Sequence, residues 1–291
     1  MNKKNIKVIS KKELKEIELL EKIGEGSYAN LYKSDDIVYK IFKENEDDEE
    51  DIYEDEISNL ERLVNFKNGI CVFPNELLKD ENGNFIGYTM DFVKGENISD
   101  IIENIPFEIL NKALAEAIQE INELSKKKIR IEDLQIIWEE KTNSLRFIDT
   151  DQYYISEHTS EDYIKENNLA TLKLEIESAI YIASKILDEY LKKSGAYILD
   201  DLIEMVDKIK TIAEKDFGKE FNSLVEIKEE IRGKYKKKKE SKEDDLPVFS
   251  TKDIEKRVET EISTQAKLKA KKVEEENAKD NNRGEMSLYD N

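Results

Sequence analysis

The residues with most to offer chemistry lie in the first sixty positions. Gly24-Glu25-Gly26-Ser27-Tyr28-Ala29-Asn30-Leu31-Tyr32 stands between two strand-like runs, and glycines so placed let a backbone approach a polyphosphate without a Cβ in the way. An ordinary hairpin turn uses the same residues. Lys40 interrupts the apolar run Ile37-Val38-Tyr39-Lys40-Ile41-Phe42, so its ammonium either snorkels to water or faces an anion. Glu56, on the segment that follows, has the charge and spacing to be a partner for that lysine, and Leu60 four residues on gives the same face an apolar anchor.

The elements that must position these residues follow from periodicity. Residues 17–43 read as a three-stranded meander with a glycine-rich first turn and a second corner at Lys33-Ser34-Asp35-Asp36. From Asp47 to Val64 the spacing becomes helical, through Ile52, Ile57, Leu60, Leu63 and Val64, with acids crowding the first turns where the helix dipole favours them. Strand-like runs at 76–79 and 85–93 flank the turn Asp80-Glu81-Asn82-Gly83-Asn84. Beyond Gly95 the chain is mainly helical. Residues 107–127 carry an apolar face of Leu110, Leu114, Ala117, Ile118, Ile121 and Leu124. Gln135–Trp138 and Leu145–Ile148 form a hairpin that ends at Asp149, and further helices are predicted over 168–193, 198–215 and 221–232.

Composition removes several function classes. The chain has 291 residues and a formal net charge of −20. Residues 234–291 hold 15 Lys and Arg against 14 Asp and Glu, which leaves about −21 on the body. A body that acidic repels a phosphate backbone, so no nucleic-acid partner is expected. One histidine, His158, and one cysteine, Cys71, leave little for imidazole or thiolate metal sites or a Ser-His-Asp triad. Cys71, among Ile70, Val72 and Phe73, reads as a buried apolar thiol in a reducing compartment. With neither a membrane-length apolar run nor a signal-like start, the expected location is cytoplasmic, with no membrane partner. The run Lys234-Tyr235-Lys236-Lys237-Lys238-Lys239 opens a charged tail predicted to be disordered, in which Ile254, Val258 and Ile262 mark a solvated helix over 251–276.

At this point the sequence resembles the protein kinase family. In that family a glycine-rich loop covers the phosphates of ATP and a third-strand lysine pairs with a glutamate of the lone helix beside the sheet. Gly24, Gly26 and Ser27 match the loop, with Ala29 in place of its third glycine, and Lys40 and Glu56 match the ion pair. Tyr88-Thr89-Met90-Asp91-Phe92-Val93-Lys94-Gly95 resembles the hinge, where Met90 would gate the adenine pocket and the backbone of Asp91 to Val93 would hold the adenine edge. Phe147-Ile148-Asp149-Thr150-Asp151 resembles the metal-binding turn, with Asp149 in the Mg2+-binding place and Thr150-Asp151 where the family has Phe-Gly. In Ile131-Glu132-Asp133-Leu134, Asp133 takes the place of the catalytic aspartate, while the preceding His and Arg are replaced. An ungapped count then puts Trp138 at the second metal-binding position; deleting three residues puts Gln135 there and leaves Ile136 to Trp138 in a strand.

The resemblance covers residues 17–232 and implies an α+β, two-lobed protein-kinase-like fold: a small antiparallel sheet plus one helix over 17–93, then a mainly helical lobe over 94–232. Residues 1–16 are an N-terminal extension and 233–291 the tail. It implies ATP and Mg2+ as cofactors, with Lys40, Glu56 and Asp133 as catalytic residues and a protein hydroxyl as acceptor. Two readings stand open. The first is a divergent phosphotransferase. The second is a pseudokinase, a nucleotide-sensing or scaffolding module for an unknown protein partner, since the stripped catalytic loop and the absence of an A-P-E segment both point away from ordinary substrate handling. Small-molecule kinases of the aminoglycoside phosphotransferase type fit less well, because the chain lacks their H-x-D loop too.

Overall fold

The computed structural model describes residues 5–26, 28–43, 52–64, 66–199 and 201–240; side chains of 52–56 and 235–240 fall outside the description. Ser27, the Glu56 side chain and the helix expected over 251–276 therefore lie outside the described residues. The chain divides into two compact units, Met1–Tyr235 and Lys236–Asn291, and almost all of the second is likewise outside them.

The fold is α+β, with a mixed six-stranded sheet and, among the described residues, eight α-helices. The first half runs β1 (Ile6–Val8), α1 (Lys11–Glu18), β2 (Glu21–Glu25), β3 (Ala29–Ser34), β4 (Ile37–Phe42), α2 (Ile52–Leu63), β5 (Glu76–Lys79) and β6 (Phe85–Asp91). Their order in the sheet is β1-β5-β6-β4-β3-β2. All pairs are antiparallel except β1 with β5.

The purely antiparallel sheet expected from the sequence is thus corrected by a parallel edge strand drawn from residues read as an extension. A three-residue strand gives too short a run for period-two alternation to be visible. The strand run expected from Ile17 likewise gives way at its start to α1. Here Ser10 and Glu13 form a capping box: the Glu13 amide donates to Ser10 Oγ at 3.2 Å and the Ser10 amide to Glu13 Oε2 at 2.8 Å. Ile17 and Leu14 of α1 pack with Ile9, Tyr32, Ile41 and Leu78.

The second half runs β7 (Glu96–Asn97), α3 (Ile98–Ile101), α4 (Phe107–Lys126), β8 (Ile129–Ile131), β9 (Gln135–Glu139), β10 (Ser144–Ile148), β11 (Tyr153–Ile155), α5 (Glu161–Ala183), α6 (Lys185–Ser194), α7 (Leu202–Phe217) and α8 (Leu224–Glu240). β10, β9 and β7 make a three-stranded sheet, and β11 pairs with β8. The predicted face of α4 is buried at Leu110, Leu114, Ala117, Ile121 and Leu124, and each fully buried Leu or Ile contributes about 1.5–3 kcal/mol. The single helix expected over 168–193 is two, because Ser184 is extended at φ −159° and its hydroxyl caps α6 by accepting from the Leu187 amide at 3.4 Å.

Two glycines are required by close approach. A Cβ on Gly95 would sit 2.2 Å from the Trp138 carbonyl oxygen, so only glycine lets the chain pass β9 there. A Cβ on Gly87, where φ is +151°, would sit 2.1 Å from the Lys40 carbonyl oxygen. Gly87→Ala is therefore expected to destabilise the fold by about 3 kcal/mol, measured by urea denaturation; a loss below 1 kcal/mol would show that β6 can move away from Lys40 freely.

Candidate functional site

Alternation along β4 decides where Lys40 points. Val38 and Lys40 share a face because successive side chains of a strand alternate, and Val38 belongs to the apolar cluster of Leu60, Val64, Val72, Leu77, Tyr88 and Met90. Lys40 is consequently buried, at 9% exposure. Its ammonium makes ion pairs with Asp149 and, at 2.7 Å, with Asp151 Oδ2, and it lies 5.7 Å from the centroid of the Tyr88 ring. Burial pulls the Lys40 pKa down, but the charges of Asp151 and Asp149 and their hydrogen bonds outweigh it, so the ammonium is held above its ordinary value. Burial in turn lifts the Asp151 carboxyl to about 6, against the pull of Lys40.

The turn that supplies both carboxylates is fastened on several sides. Asp149 adopts a left-handed backbone, φ 62° and ψ 40°, directly after β10. Asp tolerates that region better than most side chains. Just before it, the Phe147 amide donates to the Ile70 carbonyl at 2.9 Å and the Val72 amide to the Phe147 carbonyl at 2.8 Å. Thr150 is buried, and its hydroxyl donates to the Val72 carbonyl at 2.9 Å. On the far side, Asn59 of α2 clamps β11: its amide nitrogen donates to the Tyr153 carbonyl, and its oxygen accepts from the Ile155 amide at 3.3 Å.

Gln135 faces Asp149 across the β9–β10 hairpin, where it pairs in register with Ile148. Its Nε2 donates to Asp149 Oδ2 at 3.4 Å. Trp138 is instead buried in β9, within the large apolar cluster. Gln135, and not Trp138, therefore stands beside Asp149.

Asp133 is exposed, and its Oδ1 accepts from the Leu134 amide at 2.9 Å. The strand leading to it is held by Asn168 of α5, fully buried, which accepts from the Ile131 amide at 2.8 Å and donates to the Ile129 carbonyl at 2.9 Å. Half-buried Glu175, also on α5, has its carboxyl pushed up to about 7, first by burial and then by the charge of Asp133. Among the described residues no cation pairs with Asp133.

Gly24 lies in β2, and the Gly26 amide donates to the Ala29 carbonyl at 2.8 Å at the β2–β3 turn. At the other end of the sheet Met90 is buried, Asp91 accepts from Asn75 Nδ2 at 2.7 Å, and the Phe92 amide donates to the Asp36 carbonyl at 2.8 Å. Leu31, Phe92, Val93 and Ile148 rim the Val38–Met90 cluster as partly exposed apolar side chains.

The structure thus brings Lys40, Gln135 and Asp149 together and puts Met90, Asp91 and Val93 at the end of β6. Sequence reasoning missed Asp151, Tyr88, Asn59, Asn168 and Glu175. A signal existed for two of them. Asp151 is a second acid two residues beyond Asp149, and Asn168 interrupts the buried stripe Ile164, Leu172, Ile176 at four-residue spacing. Among the described residues no group of three or more His, Cys, Asp or Glu is arranged to hold a metal, and no helix is long and apolar enough to cross a membrane. No protein-family model matches the chain, and no curated protein does either.

A carboxyl raised in the folded state contributes stability that is fully present below its unfolded pKa and lost as pH rises through the folded value, here about 7. Glu175→Gln removes that loss. Its Tm relative to wild type is expected to rise between pH 5 and pH 8 by about 2–4 °C; a difference that stays flat or falls across that range would contradict the assignment.

Proposed function

We propose that this chain is a divergent protein-kinase-like, two-lobed ATP-binding protein, with residues 17–93 and 94–232 as its lobes. The observation that carries the reading is the meeting of Lys40 from β4 with Asp149 from the end of β10, residues 109 apart, with Gln135 at the same carboxylate. Each of the three has a bland explanation alone. A cation, a carboxylate and an amide converging beside a partly exposed apolar cluster form the arrangement a nucleotide phosphate needs.

In this reading the adenine ring covers Leu31, Phe92, Val93 and Ile148, where apolar surface is still open to water. The Phe92 amide is taken by Asp36, so the adenine edge is left to the backbone of Asp91 and Val93. Gly24 and Gly26 allow the β2–β3 turn to lie over the phosphates, with Ser27 as a further contact of that loop. Lys40 holds a phosphate oxygen, with Glu56 on the neighbouring helix as a further acid.

Two ligands fit Mg2+, which is commonly held by one or two protein groups together with substrate phosphates. Asp149 and the Gln135 carbonyl would hold it, and when bound it neutralises charge on the phosphate oxygens. Asp133 is the residue available to accept a proton from an attacking hydroxyl, and Asn168 fixes the strand that presents it. The acceptor is a protein hydroxyl. A pseudokinase reading is favoured by one feature, the Asp133 carboxylate turned back onto its own following amide, which leaves the nucleotide site intact and removes only transfer.

Thermal melting of the purified chain with ATP tests the proposal. ATP with Mg2+ is expected to raise Tm by about 5 °C at saturation, and Asp149→Ala to abolish the Mg2+-dependent part. No shift at millimolar nucleotide would overturn the ATP-binding reading. Where transfer to a protein acceptor is detected, Asp133→Ala is expected to lower its rate by about 100-fold or more and leave the shift in place; an unaltered rate would remove Asp133 from the catalytic role.

A further inference from the structure

Lys40 has two carboxylate partners from one turn, and they differ in ways that divide their roles. The Asp149 side chain is 30% exposed and also touches Gln135, whereas the Asp151 side chain is 8% exposed. Asp149 can exchange its ammonium for a cation arriving from solvent. Asp151 cannot, because Lys40 is its one cationic partner among the described residues, and a buried carboxylate that releases its cation is left neither paired nor hydrated.

The backbone around Asp151 also has little freedom to follow a moving partner. Thr150 is tied to the Val72 carbonyl on one side, and Tyr153 and Ile155 are tied to Asn59 on the other. Among the described residues the second oxygen of Asp151, Oδ1, is buried without a close hydrogen-bond partner, and so is the Tyr88 hydroxyl. Tyr88 is itself fully buried, and Asp151 is close enough for its charge to raise the phenol. Tyr88 thus backs the same ammonium with its ring and offers a donor toward the carboxylate that holds it.

We infer that Asp151 is the positioning residue for Lys40: it keeps the ammonium aimed into the site when Asp149 turns to a cation and Lys40 turns to phosphate. The inference rests on the nucleotide reading for its purpose, though not for its first test. In this arrangement the lysine is held from the Asp149–Asp151 turn itself.

The test is acetylation of Lys40 by acetic anhydride in the full-length chain without nucleotide, read by mass spectrometry. A protonated, ion-paired lysine reacts slowly. Asp151→Asn is expected to accelerate modification of Lys40 by about 10-fold, because an ammonium released from its buried partner is free to swing out to the reagent, and to weaken MgATP binding by at least that factor, while Asp151→Glu restores part of both.

Modification within twofold of wild type in a folded Asp151→Asn chain would overturn the inference. Should that variant fail to fold, Asp151→Ala decides in its place: reactivity raised threefold or more supports the anchor, and reactivity within twofold of wild type overturns it. The two readings fail separately. A chain that binds no MgATP but shows accelerated acetylation loses the nucleotide function and keeps the anchor; one that binds MgATP equally well with and without Asp151 keeps the function and loses the anchor.

Discussion

Burying an ammonium is the constraint on which the rest of this structure depends. A lysine in the middle of a central strand is unfavourable unless its charge meets charge of the opposite sign. Lys40 cannot snorkel, because Val38, Met90 and Tyr88 close the face it shares. The fold meets the demand by delivering two aspartates from the other half of the chain, and much of its irregular structure serves that delivery. Asp149 takes a left-handed backbone, Phe147 bridges to the 70–72 segment, Thr150 bonds back to Val72, and Asn59 ties α2 to β11. Removing these ties would strand a buried cation.

The same arrangement leaves the site poised. Two carboxylates around one ammonium carry net negative charge, which favours a further cation. One of the carboxylates remains accessible, with an amide beside it. In the proposed reading the glycine turn and the partly exposed apolar rim would receive the planar and phosphate ends of the ligand. On that reading, specificity would come from the apolar rim and the backbone of Asp91 and Val93 rather than from many charged contacts.

Much of the frame was legible in the sequence because its signals are periodic. The α4 face, the β9–β10 hairpin and the strands β4, β5 and β6 all fall close to where spacing predicts them, since long stretches of apolar alternation have few other solutions. Lys40 stood out as a charge in an apolar run, and Gln135 followed from keeping Ile136 to Trp138 in a strand. What escaped notice were features without a period. β1 is three residues long, and β8 and β11 are no longer; their pairing is long-range and leaves no local pattern. Ser184 breaks a helix that propensity alone would continue. Asp151 was visible as a residue and invisible as a partner, because a side chain's direction at a left-handed turn cannot be read from spacing. Asn59 and Asn168 are single polar residues on helical faces, and only the packed neighbours show that they fasten backbone.

The central claim is that Lys40, held by the Asp149–Asp151 turn, forms the phosphate end of a nucleotide site. A crystal structure of the chain grown with a non-hydrolysable ATP analogue and Mg2+ tests it most directly. The account predicts a phosphate oxygen within hydrogen-bond distance of Lys40 Nζ, the metal on Asp149, and Lys40 still paired with Asp151. An analogue bound elsewhere, or Lys40 still closed on both aspartates in crystals saturated with the analogue, would contradict it.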